Sequence, residues 1–140
     1  MLKYIKAVII MFNAHLGQKD KAGKPYFLHP LRVSKKIIDK RAKIVALLHD
    51  VLEDSNKYRL DDFTFLDEEQ SEALRLLTHS KNEDYFSYIE KIRKNQMAIK
   101  VKIADLEDNK NLNRLNNITE KDKERYLKYT KAKNMLLKAH

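Results

Sequence analysis

Apolar positions recur along this chain in three- and four-residue steps, and strand-like alternation is hard to find. Ile5, Val8, Ile9, Phe12 and Leu16 fall at helical spacing and predict an amphipathic helix over 2–16 with that stripe in the core. The stretch GQKDKAGKPYFL (17–28) holds both glycines and one of the two prolines, and reads as a loop. Pro30 suits the first position of a helix and steers His29 away from helical backbone angles, which fixes His29 at a loop-to-helix junction. Helices follow over 31–39 and 41–54, then a connection over 55–66 with a short helical turn at Leu60 to Phe65. Ala73, Leu76 and Leu77 mark a helix over 68–78; Tyr85, Tyr88, Ile89 and Ile92 mark one over 82–94. Residues 96–108 are apolar nearly all round, the pattern of a central buried helix. Thr119 with Asp122 resembles a helix start, and Tyr126, Tyr129, Met135 and Leu136 belong to the last helix.

Composition agrees with this pattern. Two glycines and two prolines in 140 residues favour an all-α fold, and the length suits one domain, 1–140, without repeat or linker. The absence of cysteine excludes disulfides, thiolate metal sites and cysteine nucleophiles, and fits a cytoplasmic protein. No apolar run reaches the roughly 20 residues that cross a bilayer, so no membrane partner is expected and the N-terminal KYIKAVIIMF reads as a core helix. Lys and Arg number 29 against 20 acids, a net charge of +9 scattered along the chain. Such a balance suits a solvated helical surface or attraction to a polyanion, either nucleic acid or a phosphorylated small molecule.

Three features carry chemistry. HDVLED (49–54) ends an apolar helical run with four ionisable groups. With His49 at zero on a helical wheel, Glu53 falls at about 40°, Asp50 at about 100° and Asp54 at about 140°, opposite Leu47, Leu48, Val51 and Leu52. Acids at a helix C-terminus oppose its dipole, so an ordinary solvated helix end explains them poorly. Asp105, in KVKIADLEDN, shares its face with Ala98, Val101 and Leu112; it needs a metal, a hydrogen-bond network or a buried ion pair with a lysine. His29 is the third, as a ligand or a structural hydrogen-bonder. Two imidazoles and two carboxylates suit a divalent first-row metal such as Mn, Fe, Co, Ni or Zn, and such an ion would relieve the crowding of acids. His15, one turn before the glycine loop, is either a residue that orients a ligand or a packed histidine. Tyr26 and Phe27 either stack on a base or pack beneath the loop.

The segments AHLGQKDKAGKPYFLHP (14–30), ALLHDVLED (46–54), EALRLLT (72–78) and VKIADLEDN (101–109) resemble the HD superfamily of metal-dependent phosphohydrolases. More closely, they are similar to the hydrolase domain of RelA/SpoT-type alarmone enzymes and their small single-domain relatives. The resemblance implies an all-α, multi-helix bundle with metal ligands His29, His49, Asp50 and Asp105, usually around manganese. It implies Glu53 and Asp54 as catalytic acids and Lys21 and Asn109 near a phosphorylated nucleotide. The implied reaction is hydrolysis of the 3′-pyrophosphate of (p)ppGpp, with no synthetase region in the chain.

Three departures bear on the substrate. Asp20 precedes Lys21 where the larger enzymes carry arginine, His79 follows Thr78 where lysine is expected, and Leu106 and Asp108 replace an arginine and a histidine around the ligand. An HD-type nucleotidase or phosphodiesterase acting on another nucleotide therefore stands as an alternative, with a basic nucleic-acid-binding module carrying a vestigial metal site a further one. Oligomeric state is not legible.

Overall fold

Eight α-helices and two 3₁₀ turns order the described residues 1–139 of the computed structural model, Arg114 being described by its backbone only. They are α1 (Leu2–Ala14), α2 (Leu28–Lys35), α3 (Lys40–Leu48), α4 (Val51–Asp54), α5 (Glu68–Leu77), α6 (Tyr85–Ile92), α7 (Gln96–Asn109) and α8 (Glu120–Ala139). The 3₁₀ turns are Leu60–Asp62 and Leu112–Arg114. Among the described residues there is no strand, only an isolated bridge between Lys19 and Pro25. No helix among them is long and apolar enough to cross a membrane.

The two most apolar segments become the centre of the bundle. In α3, Ala42 and every residue from Ile44 to Leu48 is buried, and this helix packs against α1, α2, α5 and α7. In α7, Met97, Ala98, Ile99, Val101, Ala104 and Leu106 are buried, and the helix lies against α2, α3, α5 and α8. Short acceptors start the helices: Asp39 receives Arg41 and Ala42 N–H before α3, and Asn95 receives Ala98 N–H before α7. Asp67 and Gln70 cap α5 reciprocally, as Thr119 and Asp122 cap α8.

Three expectations need correction. The stripe on α1 is not its inner face: Ile5, Ile9 and Leu16 are 46%, 62% and 76% exposed, while Ala7, Met11 and Ala14 are buried. Two small residues let that face lie close to α3, and periodicity alone does not say which apolar face turns inward. Second, α2 begins at Leu28, so His29 is helical and Pro30 is the third helical residue. Proline is tolerated there because the first-turn N–H groups have no intrahelical acceptor to lose.

Third, the expected helix over 41–54 is broken at His49 and Asp50. The Ala46 carbonyl, which would accept the Asp50 N–H in a continuous helix, instead receives His49 N–H at 3.4 Å and faces His49 Nδ1 at 2.6 Å. Asp50 then sits at φ −103°, ψ −3°, and α4 restarts with Asp54 N–H bonded to the Asp50 carbonyl. The side chain of His49 thus competes with the helix for its own acceptor.

Candidate active site

α2, α3 and α7 bring His29, His49 and Asp105 together from three parts of the sequence. Their candidate ligating atoms lie within 4.8 Å of one another, and all three residues are buried. Asp105 Oδ1 is the hub, 2.8 Å from His29 Nε2, 3.3 Å from His49 Nε2 and 3.1 Å from Asn109 Nδ2. Asp50 Oδ2 closes the fourth side at 3.1 Å from His49 Nε2 and 3.7 Å from His29 Nε2.

Both imidazoles are held from behind. His29 Nδ1 meets Asp108 Oδ2 at 2.7 Å, and His49 Nδ1 meets the Ala46 carbonyl at 2.6 Å. With the Nδ1 proton donated outward, each Nε2 presents a lone pair towards the Asp105 carboxylate. Two lone-pair donors converge stably only with a cation between them, a proton or a metal. The set of two imidazole nitrogens and two carboxylates, with outer-side hydrogen bonds on both rings, therefore fits a divalent metal.

The electrostatics point the same way. Burial pulls both imidazolium ions down, but Asp105 and Asp108 around His29, and Asp50 and Asp105 around His49, outweigh it and hold both histidines above their ordinary value. Burial likewise pushes the two carboxyls up. Lys102 and the histidines hold Asp105 well below the carboxylate range, and His49 holds Asp50 down. Asp105 also realises the ion-pair alternative: its second oxygen, Oδ2, lies 2.8 Å from Lys102 Nζ. The lysine and the histidines thus use different oxygens of one carboxylate.

Glu53 and Asp54 sit on α4 at the rim. Burial, and then the Asp50 charge against the opposing His79 N–H, raises Glu53 to about 7. Burial and Asp50 raise Asp54 to about 6. Both residues are exposed at the surface, so water moderates both shifts. Glu53 Oε1 accepts the His79 N–H at 2.5 Å, which fixes that carboxyl.

Two cavities flank the cluster. One, of about 240 Å³, is lined by Lys19, Lys21, Arg32 and Arg125 and reaches His29. The other, of about 170 Å³, holds Asp50, Glu53, Asp105 and Lys102. Tyr26, Asn109 and Tyr129 line both. Lys21 stands in the first cavity, half-exposed, with Nζ 3.6 Å from Asp122 Oδ1. Asn109 does more than line the pocket, since it donates to Asp105. Asp20 turns Oδ1 back onto the Ala22 and Lys24 N–H groups, shaping the turn that Gly23 closes at φ +80°.

Three side chains of the site do not stand out in the sequence. Asp108 reads there only as a departure from a pattern, yet it holds His29 and accepts from Arg32 Nε at 2.9 Å. Arg32 and Lys102 carry no signal of their own in composition or motif. Tyr26 packs against the His15 and His29 rings, and its hydroxyl also donates to Asp50 Oδ2 at 2.6 Å. A signal existed for two of them: Lys102 and Asp108 stand three residues either side of Asp105 on one helix. His15 packs on Tyr26 with ring centroids 4.9 Å apart and faces Gln18 Oε1 through Nδ1 at 2.9 Å.

No protein-family model matches the chain. Among curated proteins, it is 43% identical over 68 residues to the guanosine-3′,5′-bis(diphosphate) 3′-pyrophosphohydrolase of Borreliella burgdorferi, covering 46% of this chain and 10% of that protein. It is 32% identical over 115 residues to the GTP pyrophosphokinase rsh of Brucella melitensis, covering 71% of this chain and 15% of that one. The chain thus spans only about a tenth to a seventh of the length of these relatives. A solved structure of a metazoan ortholog of SpoT, described as hydrolysing ppGpp and playing a role in starvation responses, superposes with a TM-score of 0.80. That structure is 25% identical, and the match covers 98% of this chain and 86% of the other.

Proposed function

This chain is a homologue of the RelA/SpoT-type ppGpp hydrolases within the HD phosphohydrolases, and we propose that it hydrolyses the 3′-pyrophosphate of (p)ppGpp or a closely related nucleotide. The observation that carries the reading is the convergence of His29 and His49 Nε2 on Asp105 Oδ1, with Asp50 as fourth donor and two raised carboxyls at the rim.

His29, His49, Asp50 and Asp105 would hold one divalent metal, which we take to be manganese. When bound, that ion supplies Lewis acidity towards a phosphoryl group and positive charge beside the attacking water. Glu53 is placed to take the proton of that water, and its raised pKa suits a base that works near neutrality. Asp54, on the same turn, orients the water. A water oxygen bonds to the phosphorus attached at the 3′ position, that phosphorus–oxygen bond breaks, and the nucleoside 3′-oxygen leaves with a proton. Tyr26 keeps Asp50 turned inward, and burial beside Asp50 keeps its hydroxyl protonated as a donor. Lys21, Arg32 and Arg125 in the larger cavity, at one end of which Asn109 stands, supply positive charge for the rest of a phosphorylated nucleotide.

One observation supports a second reading, an HD-type hydrolase acting on another nucleotide. Asp20 shapes its own turn and brings no cation to the nucleotide cavity, while His79 is spent on Glu83 and Tyr88. A panel of nucleotides with manganese separates the two. Pyrophosphate released from ppGpp supports the first; orthophosphate released from mononucleotides supports the second.

A further inference from the structure

We propose that the smaller cavity is a subsite for the terminal phosphoryl group of a pyrophosphate, with Lys102 and the Tyr85 hydroxyl as its donors. This rests on the proposed hydrolase reading and gives it a residue-level account of why a pyrophosphate, and not a single phosphate, is accepted.

Lys102 lies on α7 with its side chain only 12% exposed. It is the one lysine or arginine among the described residues lining that cavity. Its Nζ contacts Asp105 Oδ2 at 2.8 Å and stands 5.1 Å from the centre of the Tyr88 ring. An ammonium carries three donors, so one carboxylate oxygen and one ring face leave capacity for a further acceptor. Tyr85 lines the same cavity, and its hydroxyl oxygen is buried without a hydrogen-bond partner. A buried orphan hydroxyl beside a buried ammonium is costly unless an acceptor arrives between or beside them.

Tyr26, Tyr88 and Asn109 in this cavity already hold hydrogen bonds to Asp50, the Leu77 carbonyl and Asp105. His79 donates its N–H to Glu53, places Nε2 2.7 Å from the Glu83 carbonyl and stacks on Tyr88 with centroids 4.5 Å apart. Asp50, Glu53 and Asp105 are acids that repel a phosphate unless cations compensate them. A metal at the histidine cluster would compensate the inner pair. The charge of a second phosphoryl group needs Lys102.

Position supports the same assignment. The metal cluster stands where the two cavities meet, at Tyr26, Asn109 and Tyr129. A phosphorus reacting at that junction directs the nucleoside to the larger, lysine- and arginine-lined cavity. The terminal phosphoryl group then enters the smaller one, beside Lys102 and Tyr85. The simpler alternative is that Lys102 only steadies Asp105.

Binding of inorganic pyrophosphate and orthophosphate to the manganese-loaded protein, read by calorimetry with bound metal assayed before and after, distinguishes these. The wild type is expected to bind pyrophosphate at least about tenfold tighter than orthophosphate, the usual scale of a charge-assisted hydrogen bond. Tyr85→Phe should remove most of that difference with orthophosphate affinity and metal content unchanged, and Lys102→Met, which also frees Asp105 Oδ2, should remove it when compared at matched metal content. Tyr85→Phe deletes a single oxygen, so it tests the subsite even if Lys102→Met misfolds. Equal losses for both anions, or an unchanged preference in both variants with metal retained, would overturn the subsite. Turnover of ppGpp is scored separately: a wild type that shows the pyrophosphate preference but leaves ppGpp intact refutes the hydrolase reading and not the subsite.

Discussion

His29 and Asp108 form a buried pair, imidazole Nδ1 to carboxylate Oδ2 at 2.7 Å, that turns the opposite ring nitrogen onto Asp105. Arg32 holds the other oxygen of Asp108, so the carboxylate is fixed on both sides. The histidine is thereby delivered with its tautomer and ring angle set, although α2 and α7 are far apart in sequence.

Asp108→Asn should therefore weaken divalent metal binding by about 10–100-fold without unfolding the protein, the usual effect of losing the partner that orients a ligating imidazole. Metal titration followed by circular dichroism checks both halves. His49→Ala, which deletes a donor outright, should cost more than Asp108→Asn.

Asp50→Ala should abolish stable metal binding, whereas Glu53→Ala should retain metal and lose turnover. Asp50 lies 3.1 Å from His49 Nε2 inside the cluster, while Glu53 lines the adjoining cavity and accepts the His79 N–H. Metal content by elemental analysis, set beside the rate of pyrophosphate release, separates the roles. Loss of metal in Glu53→Ala would contradict them.

Glu53 also gives the metal-free protein a pH signature. Its folded pKa of about 7 exceeds the ordinary 4.5, so between those values the folded state holds a proton that the unfolded state has released. Stability from this group is full below about 4.5 and is lost as pH rises through about 7. The unfolding midpoint of metal-free protein should thus fall by a few degrees between those limits. Asp54, raised to about 6, adds a loss of the same sign, so Glu53→Gln should lessen that slope in a thermal melt without abolishing it, relative to the wild type at the same pH values.

The two faces of α1 make a packing test. Met11 is wholly buried, so Met11→Ala should destabilise by about 2–5 kcal/mol in denaturant unfolding. Ile9, 62% exposed, belongs to the stripe that the sequence pattern places inside, and Ile9→Ser should change stability by less than about 0.5 kcal/mol.

That contrast shows where sequence reading succeeds and stops. The central helices α3 and α7 are legible because each carries a dense apolar run, Ile44 to Leu48 in the one and Met97 to Val101 broken only by Lys100 in the other, and those runs are buried. On α1 two apolar faces compete, and the small residues Ala7 and Ala14 win by allowing close approach. His29, His49, Asp50 and Asp105 stand out because charged groups interrupt apolar runs. Asp108 and Lys102 escape notice because acids and lysines are common throughout this chain, and only the fold shows that these two surround a buried carboxylate. The break at His49 is invisible to periodicity, since a side chain capturing the Ala46 carbonyl leaves the hydrophobic pattern on either side intact.

The most direct measurement is product analysis of ppGpp incubated with the manganese-loaded protein, with a chelated sample and Asp50→Ala as blanks. A metal-dependent 3′-pyrophosphohydrolase yields GDP and pyrophosphate in equal amounts, and neither product forms in the blanks. Release of orthophosphate instead, or equal turnover with and without metal, would contradict it.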